Sequence, residues 1–460
     1  MSIRLHVREG PHHPAPRHVA YDVERASTAD RAFLAMQGGG RAEQIGVALV
    51  LDPGPDGPDV ATVTRLVAER LPAVPRLRQR LVSTPWGCGG PIWVDDAQFD
   101  VARHVRHVTC PVSGDEQAFL DTVVSLVAAP LPVDAPLWSA AVVTGRADGA
   151  TSLVVVLHHV LADGVGGLAV LAALVDPGGH APAQPFPRAR PRARELALDA
   201  WRTRLRSLGR WSEWVGQVRR SFAAAGGVVP PRAAPCSLLR PTGPRRAIGV
   251  VAVDGDALRV AAHQFGATGN DAVLAAVAGA LQGVLRARGE AVDALVMAVP
   301  VSGRGSDDGA SLGNMVSPML VRVPTAGDAR SRLLAVSREV RRHRSDASGP
   351  PPIALLGGLF RPLAALGGFR WYMRHQQRLH TLVSHVRGPE EAVHLAGRRV
   401  RAAVPVALSE SGNITAYFEV LSYAGTVTVT AIVDPDRFPD LDGLLAGLRD
   451  ELDAITGLEP

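Results

Sequence analysis

An α/β protein of two domains is predicted by three features of the sequence. Its 460 residues exceed what one ordinary core accommodates. Short β-branched runs alternate with segments of helical length in both halves. Between the halves, residues 177–194 are dense in Pro, Ala, Gly and Arg, the composition of a linker. With 47% hydrophobic and 20% charged residues, the chain can bury large cores and does not belong to the disordered class.

Taken in order, residues 1–26 are rich in His, Arg and Pro without periodicity and read as a mobile tail. A first domain is expected over 27–180. QIGVALVLD is a strand, Val60 to Leu71 and Glu116 to Ala129 have helical spacing, and SAAVVTG follows the turn PLPVDAPLW as another strand. His104 and His107 lie among arginines and are expected at the surface.

The first domain is organised around Thr151 to Leu168, TSLVVVLHHVLADGVGGL. A continuous apolar run, Thr151 to Leu157, predicts a buried strand that ends on His158 and His159. After three intervening residues Asp163 and Gly164 open a segment of helical length rich in Ala, Leu and Val. Two imidazoles at a strand end beside a helix entry suit a loop that carries chemistry on a rigid scaffold. The same residues also suit a purely structural use, with the histidines finishing the strand and Asp163 capping the helix.

Residues 181–240 form the expected connection. Leu198, Trp201, Leu205, Leu208, Trp211, Val215, Val218 and Phe222 recur at helical spacing with Arg202, Arg206, Arg210, Arg219 and Arg220 between them. Such a helix either packs on the protein with its arginines in water or docks on an anionic membrane. A second domain is expected over 241–460. Its elements are a strand at AIGVVAVD, a long helix that Asn270 or Asp271 would cap, a hairpin turning at Ala424 and Gly425, and a terminal helix from Leu441 to Ile455. Ile353 to Met373 is apolar but broken by Arg361, Pro362 and Arg370, so it could lie on a bilayer or line a tunnel but not span one.

Charge and cysteine content exclude several classes of function. All 49 basic residues are arginine, the net charge is +5, and the arginines are scattered without a binding motif, which argues against a nucleic-acid partner. Cys88, Cys110 and Cys236 have neither disulfide-framework nor metal-ligand spacing, so neither a metal nor an oxidising compartment is expected. The N-terminus has no secretory apolar core, and no uncharged run reaches the length of a spanning helix. A cytoplasmic protein with peripheral membrane contact is therefore expected.

At HHVLADG the chain resembles the chloramphenicol acetyltransferase-like superfamily with its HHxxxDG signature. The stretches PLW (Pro136 to Trp138), ND (Asn270 and Asp271), PVSGR (Pro300 to Arg304), GN (Gly313 and Asn314) and SYAG (Ser422 to Gly425) follow in the order of the bacterial wax ester synthase/acyl-CoA:diacylglycerol acyltransferase family. The resemblance implies two chloramphenicol acetyltransferase-like domains, each a mixed β-sheet flanked by helices, with an active-site channel between them. It implies His159 as general base, His158 as support, Asp163 as the residue that orients the loop, Gly164 as room for the thiol arm, and Asn270 as a contact near the acyl site. Acyl-CoA would be the co-substrate, with no cofactor or metal. A diacylglycerol or a fatty alcohol would be the acceptor, taken from a membrane or lipid-droplet surface. The same constellation would serve an acyltransferase with another acceptor, such as a polyketide alcohol, or a catalytically silent lipid-binding homologue. SHVRGP at Ser384 to Pro389 departs from the family's usual SNVPGP, which puts the channel wall in question.

Overall fold

The computed structural model describes residues 23–27, 30–31, 34, 43–54, 57–132, 134–178, 185–208, 216, 232–302, 316–346, 366–409 and 411–458. Most of the expected tail, Trp211, Val215, Val218 and Phe222 of the helical repeat, Gly303 and Arg304 of PVSGR, the GN pair and residues 353–365 lie outside the described residues. The last residues assigned to the tail are held in place. Arg25 pairs with Asp199 at 2.6 Å and donates to the carbonyls of Cys88, Gly90 and Leu196.

Two six-stranded sheets of mixed direction carry the molecule. The centre of the first is set by β6 (Ser152–His158), whose seven residues are all buried. A strand buried on both faces reads as an unbroken apolar run. It pairs antiparallel with β1 (Gln44–Leu51) on one side and β5 (Trp138–Thr144) on the other, and β4 (Val105–Thr109) joins β5 in parallel. The first sheet is completed from the far half of the chain. β12 (Arg398–Leu408) runs antiparallel to β1 from Gln44↔Leu408 to Leu51↔Val400, with β11 (His394–Leu395) at the edge. A small hairpin of β2 (Gln79–Val82) and β3 (Ile92–Asp95) stands apart.

The second sheet runs β7 (Ala247–Asp254), β14 (Thr426–Val433), β13 (Ala416–Tyr423), β10 (Thr381–Arg387), β8 (Ala294–Ser302), β9 (Val316–Pro324). The β13–β14 turn is the expected one. Ala424 and Gly425 both take positive φ, 48° and 77°, as a two-residue hairpin of right-handed twist requires.

Helices follow their caps. Asp59 caps α1 (Val60–Arg70) through Thr62, and Asp115 caps α2 (Glu116–Ala128) through Ala118. α3 (Gly164–Leu174) follows the histidine pair, α4 (Ala193–Leu208) lies in the connection, and α5 (Gly255–Gln264) follows β7. In the long helix α6 (Gly269–Ala287) the cap is Thr268, not Asn270. Thr268 accepts from the Asp271 backbone N–H while the Asp271 carboxylate takes the Thr268 N–H, and Asn270 is left to other use. α6 is apolar almost all round and accordingly buried, enclosed by the second sheet, α7 (Ala329–Asp346) and the terminal α8 (Leu441–Thr456).

The two halves share apolar structure. Phe119, Val123 and Val127 of α2 pack in one cluster with Ile248 of β7, Tyr417 of β13 and Ile432 of β14. Tyr417 donates to the Ala407 carbonyl at 3.0 Å and Tyr423 to the Val400 carbonyl at 2.8 Å, so both tyrosines tie the crossing strand β12 to β13.

His104 departs from the surface position expected of it. It is 5% exposed, stacked on Trp138 with ring centroids 4.5 Å apart and flanked by Phe99. Its Nδ1–H donates to the Trp138 carbonyl at 2.9 Å. Arg103 and Arg106, its neighbours in sequence, are exposed while its own ring is buried. His107 is exposed, as expected, and meets the Thr144 hydroxyl.

Candidate active site

β6 delivers the histidine pair and α3 receives the chain five residues later. The backbone fixes that loop from both sides. The His158 N–H donates to the Leu137 carbonyl at 2.9 Å, the His159 N–H to the Glu43 carbonyl at 2.8 Å, and the Leu161 N–H to the His158 carbonyl at 2.9 Å. Through Leu137 the PLW stretch thus anchors the strand end. Trp138, 1% exposed, locks the layer beneath by donating its indole N–H to the Leu77 carbonyl at 2.7 Å.

The two imidazoles are unlike. His158 is 1% exposed, and its Nδ1 accepts the Val160 N–H at 3.0 Å, so the ring proton sits on Nε2. Burial, and secondly the neighbouring His159, push its pKa down to about 4. His158 is a neutral structural ring. His159 is half-buried and is the member of the pair that solvent or substrate can reach.

Asp163 is 1% exposed and caps α3, its Oδ1 accepting the Gly166 N–H at 2.9 Å. It therefore holds the loop's exit, just as Leu137 and Glu43 hold its entry. Gly164 opens α3 against the second sheet. A Cβ there would lie 2.7 Å from Val386 Cγ2, so a side chain at this position would drive β10 away from α3.

Leu157 and Gly164, the flanks of the loop, both line a cleft at the seam of the two sheets. Its near wall is β1, β6, β12 and α3. Its far wall is Val386 of β10 with Glu419 and Leu421 of β13. Glu419 has no counterpart in the sequence reading; its only signal there is one acid inside the apolar run YFEVLSY.

Asn270 does not line the cleft. Its Oδ1 accepts from His385 Nδ1 at 3.1 Å, and His385 Nε2 meets the Ser422 hydroxyl at 2.8 Å. The ND stretch, the altered SHVRGP stretch and SYAG therefore meet in one polar link. Because successive strand residues face opposite ways, His385 and Ser422 lie on the α6 side of the sheet while Val386 and Leu421 face the cleft. The departure from Asn to His thus leaves the cleft-facing residue to Val386. Burial, with Arg387 as the second cause, also brings the His385 pKa down to about 4.

These rings give the protein a defined acid limit. A histidine whose folded pKa lies near 4, against an ordinary 6.5, contributes stability that is present above pH 6.5 and lost as pH falls through 4. The loss for His158 is expected to reach about 3 kcal/mol. The melting temperature should fall steeply between those limits, and His158→Gln should flatten part of that fall. An unchanged melting temperature from pH 6.5 to 4 would contradict the buried neutral ring.

Among the described residues, no group of three His, Cys, Asp or Glu side chains is placed to hold a metal ion, and no helix is long and apolar enough to cross a membrane.

Two mixed sheets flanked by helices, with a cleft at their seam and a histidine pair at the end of a central strand, define the two-domain chloramphenicol acetyltransferase-like fold class. Residues 26–273 match the wax ester synthase/diacylglycerol acyltransferase catalytic domain and residues 312–456 the C-terminal domain of the same family, and the chain belongs to that family. It is 28% identical over 451 residues to a protein of Mycobacterium tuberculosis H37Rv named as a probable diacylglycerol O-acyltransferase, covering 95% of this chain and 96% of that one. A second protein of that strain, also named as a diacylglycerol O-acyltransferase, is 31% identical over 458 residues, covering 93% of this chain and 96% of the other. Among solved structures, the wax ester synthase/diacylglycerol acyltransferase from Marinobacter aquaeolei VT8 superposes with a TM-score of 0.65 at 20% identity, over 94% of this chain and all of that one. The first condensation domain of the CDA synthetase gives 0.60 at 18%, over 95% and 97%.

Proposed function

We propose that the protein transfers a fatty acyl group from acyl-CoA to the hydroxyl of a lipid alcohol, a diacylglycerol first and a long-chain fatty alcohol second. The observation that carries this reading is the asymmetry of the histidine pair. One ring is sealed and neutral, and the other is accessible on a loop whose two flanks line an apolar cleft. Family membership supports the same chemistry.

A thioester is already activated, so no covalent nucleophile is needed. His159, as a neutral imidazole, accepts the hydroxyl proton while the alcohol oxygen attacks the thioester carbonyl. The C–S bond breaks, and the imidazolium returns the proton to the departing thiolate. Asp163 and His158 hold the loop so that the ring of His159 keeps its place, and the cleft raises the effective concentration of the two substrates. Asn270 acts from the far side of β10, through His385, on the strand that presents Val386 to Gly164. The catalytic loop belongs to the unit 27–180 and the far wall to the unit 241–460.

Peripheral attachment to a membrane or lipid droplet is part of the proposal. α4 is held by Leu196 and Ala200, while Leu198, Trp201 and Leu205 stand 50%, 58% and 52% exposed beside Arg202 and Arg206. An exposed apolar stripe edged by guanidinium groups suits an anionic lipid surface.

The experiment is product analysis after incubation with acyl-CoA and both alcohols in competition. Triacylglycerol, with or without wax ester, is expected. Absence of any acylated lipid would refute the proposal.

A further inference from the structure

Glu419 is the one cleft-lining residue, among those described, whose side chain carries polar atoms. Every other lining side chain is apolar or absent, with Val155, Leu157, Leu171, Val386 and Leu421 around it. The cross-strand neighbours of Glu419 are hydroxyl residues, Ser384 on β10 and Thr430 on β14. Ser384 donates to it, whereas the Thr430 hydroxyl oxygen, fully buried, has no partner among the described residues. Burial is the first cause that raises its pKa, to about 8, so at neutral pH it is a carboxylic acid with a proton to donate. What surface it keeps faces the cleft.

A neutral acid set in an apolar wall is satisfied by a plain alkyl chain no better than by a void, because its O–H then lacks an acceptor. We propose that Glu419 donates a hydrogen bond to an oxygen carried by the lipid in the cleft, so that the site selects oxygen-bearing lipid over plain hydrocarbon. Two substrates could bring that oxygen: the acceptor, as an ester carbonyl of diacylglycerol that a fatty alcohol lacks, or the donor, as a hydroxyl on the acyl chain. Glu419 is on this account a specificity-determining residue, and the inference rests on the acyl-transfer reading above.

The test uses full-length wild type, Glu419→Leu and Glu419→Gln in two competitions. One sets diacylglycerol against a fatty alcohol with palmitoyl-CoA; the other sets palmitoyl-CoA against a hydroxypalmitoyl-CoA with one acceptor. Glu419→Leu fills the space without a polar atom and should lose about ten- to a hundred-fold of the preference in whichever arm supplies the oxygen. Glu419→Gln retains a donor and should keep most of the preference. In wild type that preference should fade as the pH rises through 8, and in Glu419→Gln it should not. A shift in the first arm identifies the acceptor ester, and one in the second the acyl chain. Unchanged ratios in both arms, with normal turnover, would overturn the proposal alone. Wild type forming no product from any pair would overturn the acyl-transfer reading with it.

Discussion

Alanine in place of His159 is expected to lower acyl transfer by about 10²- to 10⁴-fold, the usual cost of losing a general base, while the melting temperature stays near that of the wild type. The structural work of the pair is done by its neighbour. His158 fills the buried site and accepts the Val160 N–H, and the backbone donation of His159 to the Glu43 carbonyl is one that alanine keeps. Turnover with acyl-CoA and diacylglycerol, measured beside thermal unfolding, separates the two contributions. Loss of rate together with loss of stability would make His159 a packing residue. Near-normal turnover would remove it from the chemistry.

The second large effect is expected below the site. Trp138→Ala should cost about 3–5 kcal/mol of folding stability, the range for deleting a buried aromatic. It removes a fully packed indole stacked on His104 and leaves the Leu77 carbonyl without its donor. Trp138→Phe keeps a ring and forfeits only the N–H, so it should cost less than half as much. Because Leu137 next to it accepts the His158 N–H, the loosening should reach the histidine loop. Denaturant unfolding of both variants is the measurement. Equal losses would mean that the hydrogen bond, not the packing, carries the position.

The structure of the histidine loop was legible in the sequence because everything that makes it is local. An apolar run forces a buried strand, Asp163 three residues before Gly166 caps the next helix, and the two histidines fall between. The Ala424–Gly425 turn was legible for the same reason. The crossing of β12 to β1 was not. Its partners are Gln44 and Leu408, and no short-range pattern records which distant strand an antiparallel edge will take. The burial of His104 is not legible either, because charged neighbours in sequence say nothing of a ring that turns inward to stack on Trp138. Glu419 is not legible in the sequence because strand patterning averages over a whole apolar run, in which one acid carries no signal without the cleft in front of it. The role of His385 likewise needed the structure, since its partners Asn270 and Ser422 come from α6 and β13.

The most direct test of the account is a structure of the protein with a non-hydrolysable acyl-CoA analogue and a lipid alcohol bound. The lipid is predicted to enter the seam between Leu157, Gly164, Val386 and Leu421, with the alcohol oxygen within hydrogen-bond reach of a His159 ring nitrogen. Lipid density seated elsewhere, with the ring of His159 facing only solvent or protein, would contradict it.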